Sequence, residues 1–209
     1  MSAPATAQII LHFWFGPRPY TAAGVQQHQR LWFPAAIAPE LVPQADELIR
    51  ERFAETLQAA ASGALQAWES SPRRRLALIL ALDQFSRHCY RGTRQAYAQD
   101  HAALSLSVSG MQFGADAALD PLERIFFYMP LQHAESLDVQ EEAVAAFRRL
   151  IDEAPAELHD TFKSALHSAI EHRDLIARFG RFPHRNAVLG RQSDSHEEAW
   201  LAREGERFG

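Results

Sequence analysis

Apolar side chains recur at three- and four-residue intervals over nearly the whole chain, the period of a helix with one buried face. Ala3 to Phe15 reads as a short aromatic-rich helix stopped by Gly16-Pro17 and Pro19. Pro43 to Ala61 reads as a longer helix, followed by a single turn at Ala64 to Glu69. From Arg73 to Tyr90 the chain is apolar around its full circumference between Leu76 and Leu82, which predicts a buried central helix. Thr93 is placed to cap a helix running to about Val108, and Pro121 to open one through "LERIFFYMPLQHAE". Leu137 to Asp152 and Ala156 to Phe179 follow, and Ser195 with Glu198 forms a capping box for a last helix. No alternating Val/Ile/Thr run and no Asn-Gly turn marks a strand. The expected fold is all-α: seven to nine antiparallel helices forming one compact domain over residues 1–209, as a bundle or a short solenoid. No 34-residue self-similarity is found.

Polar residues that interrupt these stripes carry the chemical information, because an unpaired buried polar group costs about 1–3 kcal/mol. The stripe Leu158, Phe162, Ala165, Ala169, His172, Ile176, Phe179 turns His172 inward and leaves His159 and His167 in solvent. His172 is then either a core histidine bonded to a carbonyl or carboxylate, or a catalytic base. Gln140 interrupts Leu137, Val144, Phe147, Ile151, and His101 interrupts Tyr97, Leu104, Val108. Three such intruders are either scattered core hydrogen bonds or the walls of a shared polar interior.

Composition narrows the partners. The net charge is −5 over 209 residues, which argues against general affinity for nucleic acid. The single cysteine, Cys89, excludes an internal disulfide and a multi-cysteine zinc site and fits a reducing compartment. The opening residues lack a basic region and a long apolar core, so a cytoplasmic protein with no membrane span is expected. Ten histidines contain no pair with convincing ligand spacing. His133 and Glu135 are two apart, not in HExxH register, and neither a metal nor a cofactor is expected.

Two stretches concentrate arginine, histidine and aromatic residues: "LDQFSRHCYRG" at Leu82–Gly92 and "FGRFPHRNAVLGR" at Phe179–Arg191. In the first, Asp83 and Arg87 stand four apart with the acid leading, the favourable order for a helical pair, and Arg91 follows one turn later. This is either a structural ion pair or an arginine held ready for an anion. In the second, Gly180 is suited to ending a helix and Asn186 to capping the turn Ala187–Leu189 before Gly190. Arg181, His184 and Arg185 then surround free backbone N–H groups, giving either an anion site or a loop whose arginines tie down helix ends and carboxylates such as Asp83. Pro130 should kink its helix and aim Gln132, His133 and Glu135 away from the line of Arg124 and Tyr128. The aromatics Phe15, Trp32 and Phe33 either pack in the core or form a patch for self-association.

The motifs "FWFG", "LALILALDQFSRHCYRGTRQAYAQD", "RIFFYMPLQHAE" and "HRDLIARFGRFPHRNAVLGR", in this order from Ile9 to Trp200, resemble the DUF924 family of bacterial proteins. The resemblance implies an all-helical, tetratricopeptide-like architecture and no assigned activity, substrate or cofactor. Asp83, Gln84, Phe85 and Arg87 match the family's Asp-Gln-Phe-Pro-Arg-Asn, while Ser86 and His88 replace its proline and asparagine. The expected function is a binding module for an anionic small molecule or acidic peptide, through Asp83, Arg87, Arg91, Arg124, Tyr128, Arg181, His184, Arg185 and Asn186. The alternative is a small enzyme acting on a carboxylate- or phosphate-bearing substrate, with His172, His184 or His133 as acid/base and Asp83 or Glu135 as orienter. A homo-oligomer is compatible with either.

Overall fold

Residues 4–205 are described by a computed structural model, and helix dominates it. Eleven helices follow one another: α1 (Ala7–Phe15), α2 (Ala22–Trp32), α3 (Pro34–Ile37), α4 (Val42–Ala61), α5 (72–89), α6 (Asp100–Gln112), α7 (Pro121–Gln132), α8 (Leu137–Glu153), α9 (His159–Phe179), α10 (Asn186–Leu189) and α11 (Ser195–Glu204). The described residues contain no strand. The count exceeds the expected seven to nine because of α2 and the four-residue turn α3. Of the eleven residues of α2 only Val25 and Trp32 are buried, so its stripe is too sparse to read from sequence.

Helix ends follow local chemistry. Thr6 accepts from the Ile9 N–H and starts α1; the expected start at Ala3 lies outside the described residues. Asp120 and Glu123 cap α7 reciprocally. The last capping box is Asp194 with Glu197, one residue before the expected Ser195 and Glu198, because the Asp194 carboxylate accepts from both His196 and Glu197. Gly180 and Gly190 end α9 and α10 at φ +70°, where a side chain would be strained.

Thr93 does not cap a helix; its hydroxyl donates to the Tyr90 carbonyl. A 3₁₀ turn at Arg94–Tyr97 precedes α6, which starts only at Asp100. That break shifts the helical phase, so Ala103, Leu106, Ser107 and Gly110 are buried and His101 is exposed, contrary to the expected inward turn.

The buried rod α5 is α-helical at Pro72–Leu80 and Ser86–Cys89 and π-helical between, at Ala81–Phe85. It packs on α1, α4, α6 and α7, and every residue from Arg75 to Ser86 is buried. The main core gathers around Phe126 of α7, whose ring meets Trp14 at 5.6 Å, Phe15 at 5.4 Å and Trp32 at 4.9 Å. Phe15 and Trp32 therefore belong to the core, and only Phe33, 39% exposed, reaches the surface. The helix runs on through Pro130 to Gln132, while the Ser107 hydroxyl donates to the Phe127 carbonyl. α7, α8 and α9 pack in succession. Beyond them a smaller cluster of Leu175, Ile176, Phe182 and Trp200 joins the end of α9, its following loop and α11.

Candidate functional site

The π-helical segment sets the first part of the site. One extra residue in the turn places Asp83 and Gln84 side by side in the interior, 0% and 6% exposed. Asp83 Oδ2 accepts from Gln84 Nε2 at 2.6 Å, and its Oδ1 meets His133 Nδ1 at 2.7 Å and Arg87 Nη1 at 3.1 Å. Arg87 Nη1 also donates to the Asp83 carbonyl at 2.7 Å. Burial pushes the Asp83 carboxyl up, but Arg87 and His133 outweigh it and hold it below the ordinary range. Burial and the Arg87 charge pull His133 down against the attraction of Asp83. The neutral ring therefore donates Nδ1–H to Asp83 and carries a bare Nε2 acceptor.

The second part comes from the loop after α9. Arg185, 6% exposed, packs its guanidinium against the rings of Tyr97 at 4.7 Å and Phe182 at 4.5 Å. Its Nη1 donates to Asp100 Oδ2 and to the His133 carbonyl, both at 3.1 Å. Arg87 reaches the same Asp100 carboxylate, Nη2 to Oδ2 at 3.2 Å. The two arginine-rich stretches thus meet, and Asp83, Arg87, Asp100, Arg185 and His133 close a ring of contacts. Phe182 carries the imidazoles of His172 and His184 on its ring, each at 5.5 Å. His172 donates Nδ1–H to the Ser168 carbonyl at 2.8 Å and lies 6.2 Å from the His133 ring. Burial, reinforced by His133, Arg185 and Arg87, pulls His172 down to about 3; burial and Arg185 do the same to His184. Three neutral imidazoles therefore stand beside two guanidiniums at neutral pH.

The remaining loop residues fasten it. Arg181 forms a bidentate pair with Glu197 at 2.7 and 2.8 Å, and Asn186 donates to Glu197 at 3.2 Å and to Ser193 at 3.0 Å. Asn186 does not cap α10; it is the first residue of that turn. Glu135 accepts from the Phe182 N–H at 2.8 Å and from Arg191 at 2.7 and 2.9 Å. Arg181 and Asn186 thus act on the loop's attachment to α11, and Glu135 orients the backbone instead of a histidine.

Three expected residues lie elsewhere. Arg91 pairs with Asp46 of α4 at 2.7 and 2.9 Å, beside His88, whose Nδ1 meets the same carboxylate at 2.8 Å. Arg124 pairs with Glu153, and the Tyr128 hydroxyl donates to Asp116 at 2.6 Å. Tyr128 precedes His133 by five residues, roughly 140° around the helix, which carries it to another face. Asp100, Tyr97 and Asp46 lie outside the residues that the sequence marks as candidates. Asp46 interrupts the buried stripe of Ile49, Phe53, Leu57 and Ala60, so the test that selects His172 also selects it. Gln140 is a core group whose Nε2 donates to the carbonyls of Gln132 and Ala134 at 2.7 Å each, while its buried Oε1 has no partner among the described residues.

Chemically the centre offers guanidinium edges to an oxyanion and an imidazole acceptor to a proton donor. Among the described residues no group of three or more His, Cys, Asp or Glu side chains is placed to hold a metal ion, and no helix is long and apolar enough to cross a membrane.

Comparison with known proteins supplies the family and no activity. Among curated proteins nothing matches. A solved structure of a protein of unknown function from Agrobacterium tumefaciens is similar at 34% identity, with a TM-score of 0.74, over 93% of this chain and 96% of that one. The profile of the bacterial protein of unknown function (DUF924) matches residues 10–205, and the chain belongs to that family.

Proposed function

We propose that the protein is a cytoplasmic helical binding module, built on tetratricopeptide-like helix pairing, whose Arg/His-lined centre takes an anionic small molecule or the acidic end of a peptide. The succession of α7, α8 and α9 supports the pairing. One observation carries the function: every hydrogen bond and ion pair of the buried Arg185 runs through Nη1, and its sealed Nε has no partner among the described residues. Nε with Nη2 is the fork that would hold a carboxylate or phosphate in bidentate fashion, once the groups that cover Nε move aside to admit it. The rings of Tyr97 and Phe182 pack against that guanidinium and restrict its orientation. Asp100, shared by Arg87 and Arg185, is the internal carboxylate that an incoming anion exchanges with.

Thermal unfolding of the full chain against carboxylates and inorganic phosphate tests this. An anion at 100 times its Kd adds about 2.7 kcal/mol of stability. Asp100→Asn, which removes the internal competitor, should melt lower alone and be stabilised by anions more than the parent chain. If no anion stabilises either protein, the binding reading fails.

A second reading, acid/base catalysis on a carboxylate- or phosphate-bearing substrate, is favoured by the Asp83–His133 contact at 2.7 Å, which fixes the tautomer and leaves Nε2 to take a proton. Nitrogen-15 NMR of His133 should show an imidazole that titrates lower than an ordinary histidine; an ordinary titration would remove this reading.

A further inference from the structure

Away from this centre, Arg75 on α5 is 7% exposed. Its Nε donates to the Glu69 carbonyl at 3.1 Å, and its Nη1 to the Leu106 carbonyl at 3.0 Å and the Ser109 hydroxyl at 2.9 Å. All three acceptors are neutral. A guanidinium has five N–H donors, and the two on Nη2 have no partner among the described residues. Arg87, Arg91, Arg124, Arg181, Arg185 and Arg191 each face a carboxylate. Among the described residues Arg75 has no such partner.

Arg75 is also held in place. A Cβ added at Gly110 would stand 2.9 Å from Arg75 Cδ and 2.5 Å from Phe127 Cζ, so the arginine stem runs flush against the α6 backbone and cannot fold back. Arg75 lines a shallow, open depression of about 540 Å³ together with Gln66, Ala67, Glu69 and Ser70 of the turn before α5. A fixed cation with two unpartnered donors on the wall of a depression is arranged for an oxyanion. The Gln66 side chain supplies a further amide donor there.

We propose that this depression binds a phosphate group, as the free ion or as a small phosphate monoester, with Arg75 Nη2 as its anchor. The site is separate from Arg185 and does not rest on the function proposed above. Glu69 in the wall weakens the attraction and so sets the affinity.

Titration of the nitrogen-15-labelled full chain with inorganic phosphate, and in parallel with glycerol phosphate, tests the site without altering Arg75, whose loss would also release Glu69 and Leu106. Saturable amide shifts are expected at residues 66–75. Gln66→Glu adds a carboxylate to the wall and should weaken binding about tenfold; Glu69→Gln should strengthen it. Equal affinity for the two probes assigns the site to the free ion, and tighter binding of glycerol phosphate assigns it to an ester. Absence of saturable shifts at 66–75, or affinities unchanged in both variants, would overturn the proposal.

Discussion

Phe126 lies among Trp14, Phe15, Trp32 and Phe33, with ring centroids 4.9 to 6.3 Å away, whereas Phe182 is surrounded by His172, His184 and the guanidinium of Arg185. Both rings are 0–1% exposed. The first sits in a centre where apolar burial alone suffices, since a fully buried aromatic side chain contributes about 1.5–3 kcal/mol and edge-to-face contacts add to it. The second sits among groups that lose hydration on burial and must recover it through paired hydrogen bonds. A fold that needed only stability has the first solution available throughout. Polar groups at Phe182, held neutral or tightly paired, therefore mark the centre where function is to be sought.

Substitutions can break this contrast. The largest effect is expected from Phe126→Ala, a loss of about 3–5 kcal/mol in denaturant unfolding, because the surrounding rings cannot close the cavity. In Phe182→Ala the damage should stay local, with amide exchange accelerating over residues 180–204 while α1 and α5 keep their protection. Equal acceleration in both places would erase the distinction between the two centres. Asp83→Ala comes next, at about 3 kcal/mol by the same measurement, since it leaves Arg87 and His133 buried without their shared carboxylate.

Gly110→Ala tests the apolar side for tightness. Its added Cβ meets Phe127 and Arg75, and overpacking should cost about 1–3 kcal/mol in chemical denaturation. The smallest effect at neutral pH, though growing in acid, belongs to the polar centre. His172 and His184 are lowered from 6.5 to about 3, so the stability tied to their neutral forms is complete above 6.5 and falls away as pH drops towards 3. Glu197, lowered from 4.5 to about 2 chiefly by Arg181, loses its contribution below 4.5 in the same direction. Amide exchange at pH 4 should therefore rise over 180–204 relative to 121–129, the stretch of α7 that holds Phe126 and contains no histidine.

Much of this contrast can be read from residue order, and the unreadable parts have physical causes. The central helix, the end at Gly180 and the Asp83–Arg87 pair follow from periodicity, turn chemistry and i,i+4 spacing. The partner that joins the stretches, Asp100, stands after a 3₁₀ turn that resets the helical phase, so extrapolating from Thr93 points to His101 instead. Arg91 looks like a neighbour of Arg87 along the chain, but Asp46 draws it to α4. No local signal says which of two adjacent cations a distant carboxylate will take. The sequence also carries no sign of the π-helical turn, since Ala81–Phe85 has the composition of an ordinary buried helix.

That turn gives α5 something like a reading frame. Each residue rotates a helix by about 100°, and the single surplus residue between Ala81 and Phe85 sets the phase of everything after it. Asp83 and Arg87 serve the centre at His133 and Arg185, while His88 and Arg91 serve Asp46 on α4. Deleting one residue there would restore an unbroken α-helix and turn 86–91 past both sets of partners at once. Two ionic clusters on different faces of the protein are thus tied to one count of residues, and a lineage that lost the surplus would have to rebuild both.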